Sequence, residues 1–185
     1  CEVHEMTLVY VVNKSLATLT LIGGIALVLF LGALITKGIT RNWPLLSLGK
    51  KIRKQGLLIA FIIAVIATSG SLFYSEVAGW DPCKLCWYQR IFMYPLTLLL
   101  GIALVKKDTG VRKYVLGMGL VGIPIAIYHY AIQRLSYAAS CSADGLSCSS
   151  KYTFQYGYIT IPMMALTAFV MIVVLMVYLK KKESY

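Results

Sequence analysis

Five cysteines hold most of the reactive chemistry in this 185-residue sequence: Cys1, Cys83, Cys86, Cys141 and Cys148. Cys83 and Cys86 stand three positions apart, with two residues between them, in the run Asp81-Pro82-Cys83-Lys84-Leu85-Cys86. That run reads as a helix start, with Asp81 as N-cap and Pro82 at the first helical position, where its missing N–H is not needed. Cysteines three apart on a helix share a face and can close a small disulfide. The unpaired N–H groups of the first turn and the helix dipole favour a thiolate there.

Arg90 follows Cys86 by four residues, so it belongs on the same face one turn deeper. A fixed positive charge at that depth can stabilise a thiolate or an oxygen of a reduced quinone; it can equally be a side chain snorkelling to a membrane edge. Gln89 adds one hydrogen-bonding group beside it. His129 lies at a comparable depth on another apolar segment, where an imidazole could protonate a bound quinone; a hydrogen-bonded structural histidine explains it as well. Trp80, Trp87, Tyr88 and Tyr94 fit an interfacial aromatic belt or the walls of a flat cofactor's site.

Cys141 and Cys148 form a second pair in the polar stretch Ser140 to Ser150, which contains Asp144-Gly145 and can present a disulfide to a protein partner. A CxxC is moderately specific: it also occurs as half a zinc site, a haem attachment sequence or a structural bridge. No His follows Cys86, which removes the haem reading. A zinc cage of four cysteines and two static disulfides stay open as alternatives, although the spacing of the second pair is unlike a compact zinc knuckle. No metal is assigned.

These residues must be positioned by membrane helices. The chain is 59% apolar and 14% charged, with mean hydropathy +0.76, far from soluble averages. Ser15 to Thr36, Gly56 to Ser75, Tyr114 to Gln133 and Tyr152 to Leu179 each reach the roughly 20 residues that a spanning helix needs. Ile91 to Val105 becomes a fifth span if its helix begins near Cys83.

The formal net charge of +11 would suggest nucleic acid in a soluble protein, but the basic residues sit in short segments between apolar runs. Lys37, Arg41, Lys50, Lys51, Arg53 and Lys54 lie between spans one and two; Lys106, Lys107, Arg112 and Lys113 between three and four; Lys180, Lys181 and Lys182 after span five. Alternation puts all three groups on one side, which the positive-inside rule makes cytoplasmic. The N-terminus and all five cysteines then lie outside, where disulfides persist, and the C-terminus lies inside. No nucleic-acid partner is expected.

The fold class expected is an all-α membrane protein, a four-helix core plus one extra N-terminal transmembrane helix. It divides into residues 1–37 with the extra helix, a basic cytoplasmic linker over 38–55, and a four-helix redox domain over 56–185. Leu45 to Lys54 could lie on the inner surface as an amphipathic helix or be a solvated linker. The first span reads as a retained anchor rather than a signal sequence, since Glu2 and Glu5 precede it and its 22 residues are long for a signal's apolar region. Its Gly23, Gly24 and Gly32 permit close packing and receive no chemistry. Cys1 stays unassigned.

The nine residues Pro82-Cys83-Lys84-Leu85-Cys86-Trp87-Tyr88-Gln89-Arg90 resemble the signature of the disulfide bond formation protein B (DsbB) family, especially its BdbC-type members from Gram-positive bacteria. The likeness extends to Gly70–Glu76, Met93-Tyr94-Pro95, Tyr128-His129-Tyr130 and Gly157–Pro162, and covers the chain from about Lys54 onward. The first span departs from the family's usual four helices.

The resemblance implies a quinone-dependent protein disulfide oxidoreductase of the bacterial cytoplasmic membrane. Such an enzyme reoxidises an extracytoplasmic thioredoxin-like thiol oxidase of the DsbA or BdbD kind and passes electrons to menaquinone or ubiquinone. By the same likeness Cys141 and Cys148 would meet the partner's thiolate, Cys83 would exchange with them, and Cys86 would face the quinone. Arg90, with Gln89 and His129, would bind that quinone. A vitamin-K-epoxide-reductase-type enzyme is disfavoured, because there the CxxC lies on the last core helix and here it opens the second.

Overall fold

The computed structural model describes residues 2–36, 45–108, 110–135, 148 and 152–179, with the backbone alone for 2–5, 34–36 and 45–54. Five α-helices account for most of them: α1 (Glu2–Thr36), α2 (Leu45–Leu72), α3 (Lys84–Lys106), α4 (Arg112–Leu135) and α5 (Ile161–Leu179). Each contains a stretch long and apolar enough to cross a membrane. The chain is a multi-pass helical membrane protein.

Small or apolar residues recur every three or four positions on one stripe of each core helix, and those stripes meet. On α3 the buried positions are Leu85, Gln89, Met93, Leu96, Leu100 and Ala103; on α4 they include Val115, Gly119, Gly122, Ala126 and His129. Helices α2, α3, α4 and α5 each pack on the next, and α5 returns to α2, closing a four-helix bundle. Lipid is as apolar as the core, so helix association depends on close packing and interhelical hydrogen bonds. Both are present: a Cβ at Gly122 would sit 2.6 Å from the Phe169 ring, and the Thr68 and Thr97 hydroxyls meet at 2.9 Å between α2 and α3. At the end remote from the cysteines, Arg112 Nε donates to the Met176 carbonyl oxygen at 2.6 Å, satisfying an acceptor in the last turn of α5.

Helix α1 lies against α5 on the outside of this bundle. Most of its large apolar side chains are exposed, as suits a surface facing lipid.

Three local readings of the sequence need correction. The last span does not begin at Tyr152: residues 152–160 form a turn in which Gln155 and Ile159 pair as an antiparallel bridge. Tyr156 and Gly157 have φ of 51° and 76° there, a left-handed conformation that a right-handed helix cannot contain. The helix starts only at Ile161, with Pro162 in its first turn. Secondly, the segment read as linker or surface helix is helical from Leu45 and runs unbroken into the second span; Trp43-Pro44 lies outside the described residues. Thirdly, Asp81 is not the cap of α3. That role falls to Cys83, whose backbone is extended (φ −66°, ψ 168°) and whose side chain makes no capping bond.

Candidate functional site

The shift of the cap from Asp81 to Cys83 sets the geometry of the dithiol. The helix begins two residues later than a Pro-at-first-position pattern suggests, with Cys83 and not Asp81 at the cap. Cys83, half in the helix, turns inward, and Cys86 sits in the first turn. Cys83 Sγ donates a hydrogen bond to Cys86 Sγ at 3.2 Å, well beyond bonding distance. The pair is a reduced dithiol in which Cys83 carries the proton and Cys86 receives it. That bond, followed by burial, pushes the Cys83 thiol up to about 12, against a smaller opposing pull from its hydrogen bond with His129.

His129 comes from the buried stripe of α4 and is 1% exposed. Its Nε2 lies 3.5 Å from Cys83 Sγ and its Nδ1 lies 3.1 Å from Gln89 Nε2. An amide NH₂ can only donate, so Nδ1 is the acceptor and the ring proton sits on Nε2, facing the Cys83 sulfur. The three residues form a file, Gln89 to His129 to Cys83, that delivers one N–H to the sulfur of the capping cysteine.

Arg90 is held separately. Its Nε donates to Ser71 Oγ at 2.9 Å and its Nη2 to the Ser71 carbonyl oxygen at 2.8 Å, while its guanidinium lies over the Trp87 ring, 5.3 Å from the centroid. Ser71 belongs to the last turns of α2, just before a π-helical turn, Phe73–Val77. Single π turns often mark functional sites because they displace the residues that follow. Trp80, placed by the segment after that turn, stacks between Tyr74 (5.1 Å) and Tyr152 (5.3 Å).

A cavity of about 400 Å³ opens beside the dithiol. Cys86, Gln89, Arg90, Trp80, Asp81 and Tyr94 line its polar end, and side chains of α1, α2 and α5 line an apolar remainder. His129 and Cys83 are not among the lining residues, so the dithiol has two sides: Cys86 toward the cavity, Cys83 toward His129 and the interior of the bundle.

The structure therefore brings together Cys83, Cys86, Gln89, Arg90 and His129, and it separates the roles of the last three. Cys148 joins them, 1% exposed, in a small buried cluster with Cys83, Leu85 and Ile132, against which Cys86 packs. Cys141 lies outside the described residues, as do Cys1 and most of the polar stretch around Asp144. Of the aromatic group, Trp80 and Tyr94 line the cavity whereas Trp87 and Tyr88 are exposed. Sequence reasoning missed Ser71, which anchors Arg90, and Tyr74, which carries Trp80. Nothing in a serine or tyrosine near a helix end distinguishes these from interfacial residues.

One further property is chemical. Cys83, Cys86 and His129 place their ligand atoms within 4.8 Å of one another, a separation that a tetrahedral zinc site with Zn–S near ~2.3 Å and Zn–N near ~2.0 Å can accommodate.

Comparison with known proteins places this geometry in context. Residues 53–179 match the family model described as "Disulfide bond formation protein DsbB". "Disulfide bond formation protein C" of Bacillus subtilis is 47% identical over 131 residues, covering 69% of this chain and 94% of that protein. "Probable disulfide formation protein" of Oceanobacillus iheyensis is 40% identical over 142 residues, 73% and 97% of the two chains. "SPbeta prophage-derived disulfide bond formation protein B" of Bacillus subtilis is 41% identical over 120 residues, 64% and 81%. No solved structure gives a significant match.

Proposed function

The chain belongs to the DsbB family of disulfide bond formation proteins, and on that premise we propose that it is a quinone-dependent oxidase of protein dithiols, regenerating an extracytoplasmic thioredoxin-like thiol oxidase. The observation that carries this reading is the reduced Cys83–Cys86 pair at the polar end of a largely apolar cavity, with Arg90 and Gln89 beside Cys86.

Electrons enter by thiol–disulfide exchange. The partner's thiolate attacks a Cys141–Cys148 disulfide, and the partner's second thiol resolves the mixed disulfide, leaving the partner oxidised and the loop pair reduced. The loop thiols then exchange with a Cys83–Cys86 disulfide, which becomes the dithiol. The burial of Cys148 in one cluster with Cys83 supports that second exchange. The Nε2–H of His129 faces the Cys83 sulfur, where it stabilises the negative charge that Cys83 takes up when its mixed disulfide with the loop is resolved, Cys86 having left as thiolate in the first step.

The cavity suits a quinone on its own terms: it is apolar along most of its length, as a ligand drawn from lipid requires, and a cation and an amide stand at the end where Cys86 lies. Arg90 and Gln89 would hold the quinone's ring oxygens. Bound there, a quinone supplies a two-electron, two-proton oxidising capacity, becoming the quinol as the Cys83–Cys86 disulfide re-forms. Menaquinone and ubiquinone both meet these requirements.

Orientation follows from charge. Lys106, Lys107, Arg112 and Lys113 lie at the opposite end of the bundle from Cys83, since α3 begins beside Cys83 and ends at Lys106. With that basic end cytoplasmic, both cysteine pairs and the N-terminus face outward from a bacterial cytoplasmic membrane. The redox domain is then residues 56–185, joined through 38–55 to the N-terminal helical segment.

The test is quinone reduction by the purified chain mixed with a reduced thioredoxin-like oxidase. Turnover in the unaltered protein, lost in Cys83→Ser and Cys141→Ser variants, supports the relay. Absence of turnover in the unaltered protein with either quinone and several such partners overturns it. The cluster of Cys83, Cys86 and His129 favours one second reading, a zinc-holding protein; stoichiometric zinc in the purified chain together with no quinone reduction would select it.

A further inference from the structure

Helix α1 precedes the part of the chain that the family model matches, residues 53–179, yet it is seated on the redox core along its length. At the cysteine end, Tyr74 Oη donates to Asn13 Oδ1 at 3.1 Å, a polar pair buried between α1 and the π-helical turn. Nearby, the hydroxyls of Thr18 and Tyr156 meet at 2.9 Å. In the middle, two glycines set the approach: a Cβ at Gly23 would lie 3.0 Å from Met171 Sδ of α5, and one at Gly70 of α2 would lie 3.0 Å from Leu16 Cδ1. Further along, the rings of Phe30 and Tyr178 meet edge to face at 5.3 Å.

Between these attachments α1 does not close completely on the bundle. Leu16, Leu19, Thr20, Gly23 and Ala26 line the cavity whose polar end holds Cys86 and Arg90. From Leu16 to Ala26 a helix advances about 15 Å, so the cavity runs as a groove away from the dithiol, faced across by Met164, Ala168 and Met171 of α5. A redox-active ring at the Cys86 end fills only one part of such a groove. The remainder has the shape and apolarity of a site for a flexible hydrocarbon chain.

We propose that α1 is part of the ligand site: its Leu16–Ala26 face, clamped on α5, binds the apolar chain of an electron acceptor whose redox ring lies at Cys86 and Arg90. The inference rests on the quinone reading above and extends it to a helix outside the family-matched region. A chain leaving lipid for this groove gains little from the hydrophobic effect, because it was not in water; its binding depends on fit. Filling the groove therefore discriminates against the chain and spares the ring.

The experiment measures equilibrium affinity through quenching of tryptophan fluorescence, Trp80 being a lining residue, with the full chain in lipid nanodiscs. The probes are menadione, a naphthoquinone without an isoprenoid chain, and the same ring carrying a four-unit chain. An Ala26→Phe variant, altered at an exposed position that leaves the packed core alone, is expected to bind the chain-bearing probe about tenfold more weakly and menadione unchanged. Asn13→Ala, which frees α1 from Tyr74, is expected to shift affinity in the same direction. Equal loss for both probes, or no loss for either, in both variants would overturn the assignment to α1. Native mass spectrometry separates the other source of an apolar chain: a co-purified phospholipid that excess chain-bearing quinone does not displace would overturn it in favour of a structural lipid. If neither probe binds the unaltered chain, the quinone reading itself falls, and this inference with it.

Discussion

Gln89 and His129 meet across the α3–α4 interface, amide nitrogen to Nδ1 at 3.1 Å, and this contact fixes which ring nitrogen faces Cys83. With the proton on Nε2, His129 can donate to the sulfur when Cys83 becomes negative during exchange. A hydrogen bond to a charged group contributes about 1.5–3 kcal/mol. Replacing His129 by Ala, or Gln89 by Leu, is therefore expected to slow exchange between the Cys83–Cys86 disulfide and a model dithiol by about 10- to 100-fold. Stopped-flow exchange with dithiothreitol reads this directly. Rates unchanged in both variants would assign the two residues a packing role only.

The thiol of Cys83, pushed up to about 12, is expected to resist alkylation in the reduced protein near neutral pH, with the rate rising steadily above pH 9. The first cause is the hydrogen bond to Cys86, so Cys86→Ala removes what most stabilises the protonated form. The Cys83 pKa then falls toward the ordinary thiol value, and iodoacetamide labelling at pH 8 is expected to quicken by about tenfold or more for each unit of that fall. The linkage has the matching sign. A thiol whose folded pKa exceeds its unfolded value stabilises the fold below about pH 9 and loses that contribution as pH climbs toward 12. Thermal unfolding of the reduced chain should shift downward over that window.

Arg90 is positioned by two hydrogen bonds to Ser71, one to the hydroxyl and one to the backbone carbonyl. Lysine keeps the charge but cannot reproduce a planar two-nitrogen grip. Arg90→Lys is expected to raise KM for quinone about tenfold or more while leaving dithiothreitol exchange at the cysteines near its original rate. Ser71→Ala should give a smaller change in the same direction. Equal effects on both assays would place Arg90 in the cysteine chemistry instead.

Gly122 of α4 lies against Phe169 so closely that a methyl group there would overlap the ring at 2.6 Å. Both positions belong to the buried interface of α4 with α5, where the neighbours cannot easily yield. Gly122→Ala is expected to destabilise the bundle by about 1–3 kcal/mol through overpacking, visible as a lowered Tm in detergent. Gly117→Ala, on the same helix with open space around it, serves as the control.

Much of this arrangement was legible in the amino-acid sequence, and the exceptions have identifiable physical causes. Apolar runs define membrane helices because a backbone crossing lipid must satisfy its own hydrogen bonds. The segment from Tyr152 to Thr160 escaped that reading because it too carries no charge; its turn is set by Gly157 and by the left-handed Tyr156, which hydropathy does not register. The spacing of Cys83, Cys86 and Arg90 raised the expectation of a redox site, but not that Cys83 would cap the helix and turn toward α4. The clue to His129 and Gln89 lay in register: Gln89 falls on the stripe of Leu85 and Met93, and His129 on that of Gly122 and Ala126, so both point into the bundle. The place of α1 could not be read at all. Its hydropathy marks a span, while its docking depends on single contacts, Asn13 with Tyr74 of the π-helical turn and Gly23 and Phe30 with α5.

The central claim is that electrons leave the Cys83–Cys86 dithiol for a quinone held beside Cys86. The most direct measurement mixes the fully reduced chain anaerobically with excess quinone and counts quinol formed against thiols lost, by absorbance and by mass spectrometry of alkylated peptides. The expected result is quinol formation with disulfide appearing between Cys83 and Cys86, and no quinol at all from a Cys86→Ser variant. Quinone left unreduced by the unaltered protein, or quinol formed equally well without Cys86, would contradict it.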